Sequence, residues 1–334
     1  MARILVTGGA GFLGSHLCDR LLERGDEVVC VDDFSTGRMA NLAHLEGHPG
    51  FRLIRHDIAE PIALECDAVL NFGCPASPKA YQSDPVRTTT TCVNGTLNML
   101  RLADACGARL IQASTSEVYG NPGVHPQPEG YHGAVSCTGP RACYDEGKRC
   151  AESLVFDFRR HHGLDAKVVR IFNTYGPRMH PHDGRVVSNF VRQALEGNAL
   201  TVYGDGSQTR SFCYVDDLVD GVMAVLDAPA GFAGPVNLGN PAEISILEVA
   251  RRVIALAGGG AGIRHAPLPI DDPVRRRPDI ALAREALGFA PRVDLEEGLR
   301  RTMGAFAGAP PEAAPTGMHR WGRQGPDLVP QPPH

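Results

Sequence analysis

Tyr144 and Lys148 stand four residues apart, a spacing that puts a phenol and an ammonium on one face of a helix. A free phenol has a pKa of about 10 and is a poor base at neutral pH. A neighbouring cation favours the phenolate and lowers that value. Such a pair can take the proton of an alcohol while the carbon bearing it gives up hydride. Ser116 and Glu117, in the run Ser114-Thr115-Ser116-Glu117-Val118-Tyr119-Gly120, add a hydroxyl and a carboxylate that can meet a substrate's reacting carbons. The cluster Arg275-Arg276-Arg277 reads as a site rather than as part of a global field, since an arginine can hold a carboxylate at two points and hardly gives up a proton. Each has an ordinary alternative: a surface tyrosine beside a lysine, a salt-bridged turn, a solvated basic loop.

The hydride needs an acceptor, and the N-terminus supplies a place for one. Gly8-x-x-Gly11-x-x-Gly14 follows an apolar run and opens a helical pattern. In that context the glycines allow a tight turn, close approach of a pyrophosphate and close helix packing, with helix N–H groups facing the phosphates. Phe12 and Leu13, the next residues of the loop, would belong to the same cofactor site. Asp32 ends the second apolar run, where a carboxylate can bind ribose hydroxyls. Asp33 adds negative charge that opposes a 2′-phosphate, which favours NAD over NADP, while Arg38 pulls the other way. Asp57 and Ile58, after the third run, would border the adenine.

These groups need a scaffold that gathers them. Apolar runs at 3–7, 27–31, 51–54, 68–72, 109–113 and 167–172 alternate with helical patterns, including 93–105 and 145–161. That order predicts an α/β fold, a doubly wound Rossmann parallel sheet with a smaller C-terminal substrate lobe. Residues 1–174 would form the dinucleotide domain, with segments near 212–238 returning to it. Residues 175–307 would form the smaller lobe, and 308–334 a Pro/Gly-rich irregular tail.

The chain has 334 residues, a net charge of −5 and ten cysteines. Such a charge gives no reason to expect nucleic acid or an anionic membrane as partner. No apolar run approaches the roughly 20 residues of a membrane span, and no signal-peptide layout opens the chain. The cysteines form no C-x-x-C pair, so neither metal nor a disulfide framework is expected, and the cytoplasm is the expected compartment.

Several longer stretches are more discriminating. They are Cys74-Pro75-Ala76-Ser77-Pro78, Gly139-Pro140-Arg141-Ala142-Cys143-Tyr144-Asp145-Glu146-Gly147-Lys148-Arg149, Arg170 to Pro177, Asp183 to Phe190, and Asp271-Asp272-Pro273 with Arg276-Arg277-Pro278-Asp279. With them the chain resembles the extended short-chain dehydrogenase/reductase family, most closely its UDP-glucuronate decarboxylases, over about residues 3–303. The resemblance implies NAD as a recycled cofactor and conversion of UDP-glucuronate to UDP-xylose through a 4-keto intermediate. It makes Tyr144 the base at the sugar 4-hydroxyl, with Lys148 beside it. Ser116 and Glu117 fall near the carboxylate and C5, and Arg276 at the same centre. Asn173, Arg185 and Arg210 would meet the UDP moiety, with Tyr203 in the same lining. Homodimers are common in the family.

The chain also departs from those relatives. Phe72-Gly73 stands where they carry Leu-Ala, Cys92 where they carry asparagine, and 131–138 replaces a loop with tryptophan, histidine, asparagine and proline. These changes leave open a variant that releases the 4-keto pentose. A 4-epimerase would not need Glu117 or Arg276, and a 4,6-dehydratase would carry aspartate at Ser116. An NAD-binding sensor could dispense with Tyr144 and Lys148.

Overall fold

Seven short apolar runs pair side by side in the computed structural model, which describes residues 1–268 and 275–308. They are β1 (Arg3–Thr7), β2 (Glu27–Asp32), β3 (Phe51–Arg55), β4 (Ala68–Asn71), β5 (Arg109–Thr115), β6 (Ala166–Ile171) and the strand Val236–Leu238. The order is β3-β2-β1-β4-β5-β6 and then Val236–Leu238, with every pairing parallel. Parallel sheets are covered on both faces, which is why the inner strands β1 and β4 are buried along nearly their whole length. In β1, Ile4 and Val6 enter one core cluster, while Leu5 between them enters the cluster on the other side. The motif Asp271-Asp272-Pro273 and the tail from 309 onward fall outside the described residues.

Chain direction across the sheet reverses between β1 and β4, the place where such folds open a ligand crevice. Thr7 fixes this junction. Its hydroxyl donates to Asn71 Oδ1 at 2.7 Å and accepts from the Phe72 and Gly73 N–H groups at 3.0 and 2.9 Å. Helix α1 (Phe12–Glu23) packs directly on the glycine turn. A Cβ on Gly14 would lie 2.1 Å from the Gly8 carbonyl oxygen, so only glycine permits this approach.

Three local features differ from the sequence expectation. Cys213–Tyr214 does not return to the main sheet; it pairs with Thr174–Tyr175 in a separate ladder, because Val236–Leu238 already occupies the edge of β6. The helix expected from 145 starts earlier and runs Ala142–His162, since Gly139-Pro140 ends the preceding loop and leaves Ala142 free to turn. The helix expected from 93 is entered through a π-helical turn, Thr91–Gly95, before Thr96–Cys106. Beyond the sheet, Thr209–Ser211 lies between Glu243–Ser245 and Arg275–Arg276 in a small sheet. That sheet sets Arg210 and Arg276 in register on adjacent strands.

Candidate active site

A cavity of about 600 Å³ opens at the C-terminal ends of the strands. Every residue singled out from the sequence for the cofactor, the chemistry or the nucleotide lines it. They come from both halves of the chain, so the fold brings together what the sequence keeps apart.

At the cofactor end lie Gly8, Gly11, Phe12 and Leu13. Gly8 has φ +67°, and a Cβ on Gly11 would lie 3.0 Å from the Gly8 oxygen. Gly11 caps α1 without any side-chain hydrogen bond, so the first-turn N–H groups face a cradle that a side chain would fill. These residues fit a pyrophosphate. Asp32 accepts from the Ala10 N–H at 2.9 Å and the Phe34 N–H at 2.8 Å, which orient its carboxylate. Burial raises its pKa, and those two donors oppose the rise. Arg87 bridges Asp33 at 2.6 Å and Asp57 at 3.1 Å, one cation against two carboxylates, so the negative charge expected of Asp33 is offset only in part. Arg38 donates to the Arg178 and Met179 carbonyls, so its charge is drawn toward that turn.

At the centre, Tyr144 is buried and stacks on Tyr81, ring centroids 5.0 Å apart. Lys148 donates to the Ala113 carbonyl at 2.9 Å, with its nitrogen 5.7 Å from the Tyr144 ring centroid. The sequence reading has the Lys148 ammonium together with the nicotinamide ring of NAD+ favouring the phenolate. In the protein without cofactor, burial pushes the Tyr144 pKa up, with Arg185 and the Thr115 hydroxyl acting against it. The lysine is tied to a carbonyl, and removal from water dominates.

Glu117 sits between two guanidiniums, those of Arg276 and Arg141, each in direct contact with one carboxylate oxygen. Burial alone would raise its pKa, but Arg276 and then Arg141 outweigh that and hold it at about 2. Arg276 is 3% exposed and also donates to the Gly120 carbonyl at 3.2 Å. An open two-point clamp was the sequence reading of Arg276; here Glu117 takes that place. Two cations against this one carboxylate leave surplus positive charge while Asp145, 3.9 Å from Arg141, keeps its proton, and Arg141, Glu117 and Arg276 all line the cavity. Ser116 is buried in the turn Ser116–Tyr119 directly after β5.

Asp145, next to Tyr144, was missed by the sequence reading as a site residue, as were Arg141, Thr115 and Tyr81. The spacing of Arg141 and Asp145, four apart on the Tyr144 helix, was the available signal. Asp145 Oδ1 is buried without a hydrogen-bond partner, and Oδ2 lies 3.9 Å from Arg141 Nε. Burial first, and then the Glu117 charge, push its carboxyl up to about 7. Unfolded, it ionises at about pH 4. Between about pH 4 and pH 7 the unfolded chain loses this proton while the folded protein keeps it, so stability falls as pH rises across that window. Asp145→Asn is therefore expected to raise Tm at pH 7 and leave it near the parent's at pH 4. Parallel Tm curves for the two proteins would contradict the assignment.

At the far end, Arg185 donates to the Ala76 carbonyl at 2.8 Å, and Arg210, 7% exposed, donates to the Thr209 carbonyl at 2.8 Å. Tyr203 is 41% exposed on the strand Leu200–Tyr203, a wall residue rather than a core aromatic. Asn173 lines the same wall just beyond β6. Among the described residues no group of three or more His, Cys, Asp or Glu side chains gathers as a metal site.

The unusual loop 131–138 is anchored through main-chain atoms. Ala134 donates to the Tyr119 carbonyl at 3.1 Å, Asn121 donates to the Ala134 carbonyl at 3.2 Å, and Arg149 donates to the His132 carbonyl at 2.7 Å. Replaced side chains leave these bonds in place.

Residues 4–239 match the NAD dependent epimerase/dehydratase family. UDP-glucuronic acid decarboxylase 1 of Danio rerio is 54% identical over 305 residues, covering 91% of this chain and 72% of that protein. Among solved structures, a dTDP-glucose 4,6-dehydratase of Streptomyces venezuelae with NAD bound is 30% identical at a TM-score of 0.82, covering 91% of this chain and 97% of that one. UDP-glucuronic acid 4-epimerase of Bacillus cereus, in complex with UDP-glucuronic acid and NAD, is 29% identical at a TM-score of 0.80, covering 91% and 99%. A glycine turn on α1, a buried Tyr144 beside Lys148 and this similarity along nine-tenths of the sequence agree: the chain belongs to the NAD-dependent epimerase/dehydratase family, within the extended short-chain dehydrogenases/reductases.

Proposed function

We propose that the protein is an NAD-dependent UDP-glucuronate decarboxylase that forms UDP-xylose. The observation that carries this reading is the buried Arg141–Glu117–Arg276 group beside Tyr144. Its surplus positive charge suits a sugar whose C6 is a carboxylate, a feature that a neutral hexose lacks. The 54% identity to a curated decarboxylase supports the same choice. Gly8, Gly11, Phe12, Leu13, Asp32, Asp57 and Ile58 would hold NAD, which when bound supplies a reversible hydride acceptor for C4. Tyr144 takes the proton of the 4-hydroxyl, and the resulting 4-keto group lies β to the C6 carboxylate. Carbon dioxide can then leave, its electron pair held as an enolate by donors around Tyr144. Ser116, Glu117 and Arg276 orient the departing carboxylate and the C5 that is next protonated. Arg185, Arg210, Asn173 and Tyr203 hold the UDP moiety, whose phosphates call for cationic and N–H partners.

Residues 1–174 form the NAD lobe in this reading and 175–307 mainly the sugar-nucleotide lobe. Ten free thiols suit a reducing cytoplasm, and the family resemblance supports a homodimer. No helix among the described residues is long and apolar enough to cross a membrane. A second reading, 4-epimerisation of the same uronate, draws on the likeness to the Bacillus cereus enzyme. Incubation with UDP-glucuronate separates the two: carbon dioxide release supports decarboxylation, and a UDP-uronate of unchanged mass supports epimerisation. A third outcome, a UDP-4-keto-pentose accumulating, would mark early release.

A further inference from the structure

One cavity-wall feature has no part in the chemistry above. Cys74 is the one cysteine among the cavity's lining residues, and its sulfur lies 3.1 Å from that of Cys92 behind it. Cys92 is 2% exposed in the π-helical turn Thr91–Gly95. It packs against the Tyr144 helix so closely that a Cβ on Gly147 would lie 2.9 Å from its own Cβ. Cys18 and Cys30, by contrast, are sealed in the core, both 0% exposed.

We propose that Cys74 and Cys92 form an oxidative modification site, at which a peroxide or a small-molecule disulfide converts the pair to an internal disulfide and reversibly stops turnover. Cys74 is placed to attack, because it faces the cavity, and Cys92 to resolve. The Cys92 thiol, donating toward the Cys74 sulfur, brings Cys74 down to about 7, and the Lys148 charge assists. Cys92 itself is pushed up, so it keeps its proton until the second step. With hydrogen peroxide, the Cys74 thiolate takes one oxygen to become a sulfenic acid and hydroxide leaves. Cys92 sulfur then displaces that oxygen as water, so two thiols and one peroxide give one disulfide and two waters.

Closing the bond draws the sulfurs from 3.1 Å to about 2.05 Å. Cys92 is held by the helix packed on it, so the movement falls on Cys74 and the following Pro75-Ala76. The Ala76 carbonyl is the one that receives Arg185, and the segment lines the same cavity as Tyr144. A shift there misplaces the groups that seat substrate.

The test uses the whole protein with hydrogen peroxide as oxidant, alkylation of remaining thiols, and mass spectrometry of the digest. The expected result is a Cys74–Cys92 cross-linked peptide, loss of turnover, and recovery of both on adding dithiothreitol. Cys92→Asn should form no cross-link and should be inactivated at least about tenfold more slowly, since Cys74 then lacks both the thiol whose contact favours its thiolate and the partner that resolves its sulfenic acid. Cys92→Ala serves the same purpose if the asparagine variant folds poorly. Oxidation confined to exposed Cys137 and Cys150, a cross-link that leaves turnover unchanged, or equal inactivation of parent and variant would each overturn the proposal. The loss of turnover rests on the decarboxylase reading; the cross-link is read by mass and stands or falls without it.

Discussion

Tyr144→Phe is expected to lower turnover of UDP-glucuronate by about 10³-fold or more, within the range for loss of a positioned acid–base group. The ring position should survive, because stacking on Tyr81 and packing by the helix Ala142–His162 involve the ring and not its oxygen. Lys148 should also stay in place, since its anchor is the Ala113 carbonyl. What disappears is the one oxygen placed to take the 4-hydroxyl proton. Because burial favours the neutral phenol, the proton transfer depends on positive charge brought near that oxygen, and Arg185 already acts in that sense. NAD affinity should change little, and no nicotinamide absorbance change should follow addition of substrate. Turnover within tenfold of the parent would remove Tyr144 from the role of base.

The second large effect concerns Arg276. Its guanidinium, with that of Arg141, keeps Glu117 ionised down to about pH 2. Arg276→Ala removes one of two cations from a buried carboxylate and from the place where a substrate carboxylate would lie. A loss of about 10²- to 10³-fold in kcat is expected, the scale of removing a charge-stabilising donor, with a smaller change in KM because Arg185 and Arg210, which line the same cavity, would still hold the nucleotide in the proposed reading. Arg276→Lys should not rescue it, since a lysine cannot contact Glu117 and the Gly120 carbonyl through one planar group. Near-normal kcat with a raised KM would instead make Arg276 a plain binding residue.

What could be read from the sequence was local. The glycine turn, the Tyr144–Lys148 face and the alternating strands depend on spacings of a few residues, and short-range geometry fixes them. The couplings that decide charge are long-range. Arg276 reaches Glu117 across 159 positions, and Arg87 reaches Asp33 across 54. Spacing carries no trace of such contacts, so Arg276 reads as an open clamp and Asp33 as a free charge. The upward push on the Tyr144 pKa has the same origin, because burial depends on everything packed around the ring. The net charge of −5 was likewise silent about a cleft in which arginines are concentrated.

The most direct measurement is turnover of UDP-glucuronate in deuterium oxide, with the product followed by mass and by proton NMR. The account predicts one carbon dioxide per UDP-xylose, with a single deuteron at C5, where solvent-derived protonation follows loss of the carboxylate. A product that retains its carboxylate, or no conversion with NAD present, would contradict it.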